Sequence, residues 1–207
     1  MKDATEIIVV LDRSGSMSTI RGDMEGGFDQ FISEQRNAPG ECRVSLYQFD
    51  DKYDVVFEGR ALADVPKCVI EPRAATALLD AVGKTINATG ERLASKAESE
   101  RPDKIVFLVI TDGHENASRE FKKADIKKLV ERQSKDYNWQ FCYIGADLGA
   151  FDEGASIAMA AASYVPDAAG TKDLYGRVGA AVVSYRSGVS ASLSVEKNPE
   201  KVSDTTS

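Results

Sequence analysis

The segment EIIVVLDRSGSM, residues 6–17, carries an unbroken apolar run over residues 7–11 and then places Asp12, Ser14 and Ser16 at every second position. A run without polar alternation belongs to a strand buried on both faces, the kind found in a parallel sheet covered by helices on each side. A second such run, in RPDKIVFLVITDG, also stops on an acid and a glycine, Asp112 and Gly113. Both are far shorter than the roughly 20 apolar residues a membrane-spanning helix needs.

Short apolar runs alternate with longer helical patterns along the rest of the chain. GDMEGGFDQFISEQRN sets Met24, Phe28 and Phe31 at helical spacing, and APGE supplies the stop signals after it. RVSLYQFDDKYDVVFEG alternates in polarity on both sides of DDK, which predicts a hairpin of residues 43–49 and 53–58. Its second arm would be an antiparallel edge strand. TALLDAVGKTINATGERLASKA predicts a helix through Leu78, Leu79, Val82, Ile86 and Leu93, and SREFKKADIKKLVERQSKDY a second one with Ser118 as N-cap. WQFCYIGAD reads as a buried strand, residues 163–165 as a terminal strand, and TKDLYGRVGAAVVSYRSG as the last helix. The expected class is α/β, a doubly wound, mostly parallel, Rossmann-like central sheet with one antiparallel edge strand and helices on both faces. From Ser190 the composition turns polar, so the expected division is a domain over residues 1–189 and a disordered tail over 190–207.

Composition narrows the function classes. With 26 basic and 33 acidic side chains, net charge −7, the chain lacks the concentrated cations that nucleic-acid binding requires. Three cysteines, Cys42, Cys68 and Cys142, without CxxC spacing, argue against a disulfide framework. The opening MKDATEIIVV has no basic region followed by an apolar core, so neither a signal peptide nor a membrane span is expected, and the cytoplasm is the expected location.

In a doubly wound sheet, ligands bind beyond the carboxyl ends of the strands, where the strand order reverses. Asp12 and Asp112 both stand at such ends. If their strands are neighbours, two carboxylates and the hydroxyls of Ser14 and Ser16 converge, with Gly15 and Gly113 allowing the sharp turns. An all-oxygen set of this kind suits Mg²⁺, Mn²⁺ or Ca²⁺.

D-x-S-x-S after a first strand, a separate threonine, and T-D-G after a later strand resemble the von Willebrand factor A (VWA) domain and its metal-ion-dependent adhesion site (MIDAS). The resemblance covers about residues 5–188. It implies that Asp12, Ser14 and Ser16 form the first loop of the site, Thr76 in AATALLDAV the second and Asp112 in ITDG the third, although the usual glycines before the threonine are missing. The chain is similar to small single-domain VWA proteins of bacteria and phages. The resemblance further implies a protein-interaction module and no enzyme, in which the cation accepts a Glu or Asp carboxylate from a partner protein and the chain is a monomer or self-associates weakly. Met17, His114 and Glu115 would flank the ion and select the partner. Asp80 reads as a support for its loop or helix, Asp50, Asp51 and Asp54 as hairpin-turn acids, and Asp147 as either a lining of the binding face or a turn residue. The rival class is a Mg²⁺-dependent phosphohydrolase built on Asp12. Phosphatases of the haloacid dehalogenase type place a second aspartate two residues on, and here that residue is Ser14. G-x-S-x-G, G-x-G-x-x-G after the first strand and the P-loop pattern are all absent from the sequence.

Overall fold

The computed structural model describes residues 4–146 and 149–195, apart from the Phe151 side chain. In chain order the elements are β1 (Thr5–Asp12), α1 (Arg21–Arg36), β2 (Cys42–Phe49), β3 (Tyr53–Ala61), α2 (Leu78–Ala94), β4 (Lys104–Thr111), α3 (Lys123–Tyr137), β5 (Gln140–Gly145), α4 (Gly149–Ser156), β6 (Ala160–Ser163) and α5 (Ala168–Arg186). They build one six-stranded sheet in the order β3-β2-β1-β4-β5-β6. All neighbours are parallel except β2 and β3, which form the expected hairpin with β3 at the edge. The chain moves outward from β1 to β3 and returns to the other side of β1 as β4. The order therefore reverses between β1 and β4, and Asp12 and Asp112 leave the sheet side by side.

The continuity of the apolar runs is explained by their position. Ile7, Val9 and Leu11 pack on one face with Met24, Phe28 and Phe31 of α1 and Leu174, Val178 and Val182 of α5. Ile8 and Val10 pack on the other face with Leu78, Val82 and Ile86 of α2 and Ile126 and Val130 of α3. Each such side chain contributes about 1.5–3 kcal/mol by leaving water, so the two-sided core holds the sheet without help from any ligand. Cys42, Cys68 and Cys142 are buried and unbridged. No described helix is long and apolar enough to cross a membrane.

Several boundaries move from their sequence-based positions. The helix expected from Ser118 begins at Lys123, because residues before it are pinned as a loop. The last strand lies at Ala160–Ser163 rather than 163–165. The last helix starts at Ala168, capped by the Asp167 carboxylate, which accepts the Gly170 N–H at 2.7 Å. Within the stretch expected to be tail, Leu193 is buried in the α1–α5 face of the core, and its N–H donates to Gln140 Oε1 at 3.0 Å.

Candidate metal centre

At the end of β1 the chain enters a short 3₁₀ turn, Gly15–Thr19. Asp12 is fully buried; its Oδ1 accepts the Ser14 N–H at 2.6 Å and its Oδ2 the Thr111 hydroxyl at 2.5 Å. The Ser14 and Ser16 hydroxyls lie 3.1 Å apart, and Ser16 Oγ donates to Asp112 Oδ1 at 2.7 Å. Thr76 arrives from the loop before α2. A β-carbon placed on Gly113 would lie 3.2 Å from Thr76 Oγ1, 3.5 Å from Ser16 Oγ and 3.7 Å from Asp12 Oδ2. All five residues singled out in the sequence thus meet in one crevice. The chain turns sharply at Gly15, where the 3₁₀ turn begins, yet neither Gly15 nor Gly113 has a positive φ. Gly113 is needed for room, since any side chain there would press into the oxygens.

The electrostatics of the crevice are one-sided. Burial pushes the Asp12 carboxyl up to about 6, against the pull of its hydrogen bonds from Thr111 and Ser14, and the nearby Asp112 charge adds to the rise. Asp112, half-buried, is raised chiefly by burial as well. Among the described residues, Asp12 takes its hydrogen bonds from neutral groups alone. The Tyr164 hydroxyl is buried with no hydrogen-bond partner among the described residues, and its pKa is pushed up by burial first and then by the charges of Asp112 and Asp12. Two uncompensated acids facing three hydroxyls suit a hard, oxygen-seeking divalent cation. Among the described residues, no three His, Cys, Asp or Glu side chains gather as a metal cluster. The donor set is rich in hydroxyls and has only two carboxylates.

The profile of the von Willebrand factor type A domain matches residues 6–175. The chain belongs to the VWA family. No curated protein sequence matches it. Among solved structures, a VWA protein from Catenulispora acidiphila is 11% identical with a TM-score of 0.57, over 86% of this chain and 42% of that one. The ArnB paralog VWA2 from Sulfolobus acidocaldarius is 16% identical with a TM-score of 0.56, over 85% and 44%. Proximal thread matrix protein 1 from the mussel byssus, in a form with a zinc-occupied MIDAS motif, is 17% identical with a TM-score of 0.54, over 86% and 44%. The chain spans less than half the length of each of these three, and the likeness is one of fold.

In this VWA domain the loops around the crevice are held by residues that local sequence patterns do not reveal. The first turn of α2 has no side-chain cap of its own. Its free N–H groups are taken by the loop between β4 and α3, Leu79 N–H by Glu115 Oε2 at 2.9 Å and Asp80 N–H by Ser118 Oγ at 3.0 Å. In return the Asp80 carboxylate accepts the N–H groups of Arg119, Glu120 and Phe121 at 2.8–2.9 Å. Asn116 Oδ1 accepts the Thr76 N–H at 2.9 Å. Asp80 therefore has the supporting place expected of it. Glu115, half-buried, has its carboxylate engaged in this latch and Met17 is fully buried in the core, so, contrary to expectation, neither presents its side chain freely at the rim; His114 is exposed. Asp147 lies outside the described residues.

Asp50 and Asp54 do more than turn a hairpin. Asp50 is fully buried, and its Oδ2 accepts both Arg13 Nε at 2.9 Å and Arg73 Nε at 2.6 Å. Asp54 Oδ2 lies 2.6 Å from Arg13 Nη2 and 3.5 Å from Arg73 Nη2. Burial works against the Asp50 charge, but the hydrogen bonds from Arg73 and the Lys52 N–H and the field of Arg13 hold its carboxyl below the usual carboxylate range. The signal is present in the sequence as Arg13 between Asp12 and Ser14 and Arg73 three residues before Thr76, two cations close to the predicted ligands.

Proposed function

We propose that Asp12, Ser14, Ser16, Thr76 and Asp112 hold one divalent cation, Mg²⁺ with Mn²⁺ or Ca²⁺ as substitutes, and that the domain is a metal-dependent protein-interaction module. The observation that carries this reading is the gathering of two carboxylates and three hydroxyls around Gly113 with only neutral donors on Asp12. The bound ion would supply a positive centre accessible from outside. Ser14, Ser16 and Thr76 contribute neutral oxygens, so the cation keeps much of its charge and favours an incoming Glu or Asp carboxylate from a partner protein. The zinc-occupied MIDAS of the mussel protein supports the use of this crevice for a metal. The buried core supplies the stability, which lets the domain fold before the metal arrives.

Binding rather than turnover fits the chemistry of Asp12. Its two oxygens are engaged by Ser14 and Thr111 inside the protein, a poor arrangement for a nucleophile, and Ser14 stands where a phosphatase would place its acid–base aspartate. We place the module in the cytoplasm as a monomer or weak self-associate. The test is calorimetry with Mg²⁺ and Mn²⁺, then capture of partners with and without chelator. One ion per chain and chelator-sensitive capture are expected; partner affinity identical in chelator and in Mg²⁺ defeats the reading.

A further inference from the structure

On this reading Thr76 supplies the cation ligand contributed by the stretch between β3 and α2, and no strand or helix holds residues 66–77 in place. Something else must fix its hydroxyl. The chain on either side of Thr76 is tied to the first loop of the site and to the β2–β3 turn: the Gly15 N–H donates to Ala74 O at 3.2 Å, the Arg73 N–H to Arg13 O at 2.9 Å, and the Ala77 N–H to Asp50 O at 2.8 Å. Ala74 adopts a left-handed φ of 57°, a conformation that disfavours any residue with a β-carbon and persists only where the surroundings enforce it. Thr76 itself is held through its backbone by Asn116 and Ala117 of the loop after β4, and the bend before it is flanked by a four-charge cluster, in which Arg73 from this loop and Arg13 from the D-x-S-x-S loop both grip Asp50 Oδ2 and both approach Asp54 on β3.

We infer that Asp50, Arg13 and Arg73 form a clasp that sets the Thr76 hydroxyl against Ser16 and Asp12, which makes Asp50 and Arg73 positioning residues for the cation although neither touches it. The inference rests on the metal reading above. Arg73 is the informative member because its side chain is 45% exposed and removing it still leaves Asp50 paired with Arg13. A half-exposed ion pair contributes little to global stability. Losing it should therefore free the Thr76 loop without unfolding the domain, and the strained Ala74 gives that loop a reason to relax.

The experiment is a calorimetric Mn²⁺ titration of the full chain for the native protein, Arg73→Met, and a control, Leu193→Ala, which trims a core contact on the α1–α5 face. Melting of each in chelator accompanies the titrations. Arg73→Met is expected to weaken Mn²⁺ binding about tenfold, the size of effect seen when a group orienting a metal ligand is removed. Its melting temperature in chelator should fall by less than about 3 °C. The control should lose thermal stability while keeping native affinity. Unchanged affinity in Arg73→Met, or equal weakening in both variants, overturns the inference. If the native chain takes up no Mn²⁺, the metal reading itself falls and the inference with it; if native binds and Arg73→Met matches it, only the inference falls.

Discussion

Strand β1 carries a buried acid near each end, and the two are treated in opposite ways. Glu6, near the N-terminal end, is 1% exposed, and both its oxygens meet the Arg92 guanidinium from α2, at 2.5 and 3.2 Å, with the Ser45 hydroxyl adding a third bond at 2.7 Å. Asp12, at the C-terminal end, is equally hidden but is met by an amide and a hydroxyl, with the half-buried Asp112 close by. A carboxylate whose countercharge is built into the fold is architecture. One that is buried beside a second acid, with neutral donors only, is kept at a cost that a cation would relieve.

The sharpest way to break this contrast is to remove one acid at a time. Glu6→Gln leaves Arg92 with only the looser Glu58, 4.0 Å away, and should lower unfolding stability by about 3 kcal/mol in urea titration; a loss below about 1 kcal/mol would show that the pair is not the anchor described here. Asp12→Asn should behave differently. In chelator it should be as stable as the native protein or more so, since a buried negative charge is gone. With Mg²⁺ at roughly a hundredfold excess over its dissociation constant it should lack the gain of about 2.7 kcal/mol expected for native protein. Equal gains in both would end the metal interpretation of Asp12.

A smaller effect is expected from Gly113→Ala, whose new methyl would sit against Thr76 Oγ1 and Ser16 Oγ. About tenfold weaker metal binding, equivalent to about 1.4 kcal/mol, should appear in calorimetry with the apo melting temperature little changed. The smallest belongs to Ala74→Gly. Relief of the left-handed φ, worth about 1–2 kcal/mol, is partly offset by the added freedom of the unfolded chain, so a net stabilisation of about 0.5 kcal/mol is expected by thermal unfolding. A loss of stability there would mean that the loop is not strained at Ala74.

Much of the site was legible because its parts are local. Asp12, Ser14 and Ser16 fall within five residues, and Asp112 directly follows a strand that is unmistakable from its composition. Their meeting required only that β1 and β4 be neighbours, which the doubly wound order supplies. The stretch before Thr76, where the usual glycines are missing, holds Ala74 at a left-handed φ that no local pattern announced. Glu115 and Met17 depart from expectation because closeness in sequence to a ligand says nothing about direction. One side chain turns to cap α2, and the other fills the core.

The sequence by itself determined the layered α/β architecture and the places where strands end in acids, since both depend on hydrophobic periodicity and residue type within a few positions. Only the tertiary structure decided how the loops are held. Arg13 finds Asp50 37 residues away, Asp80 finds the Glu120 N–H in the loop after β4 at a separation of 40, and Glu6 finds Arg92 at a separation of 86. Such pairings carry no period and no local preference. A charge is matched by whichever group the packed sheet and helices bring within hydrogen-bond reach, and that choice does not exist until the chain has folded.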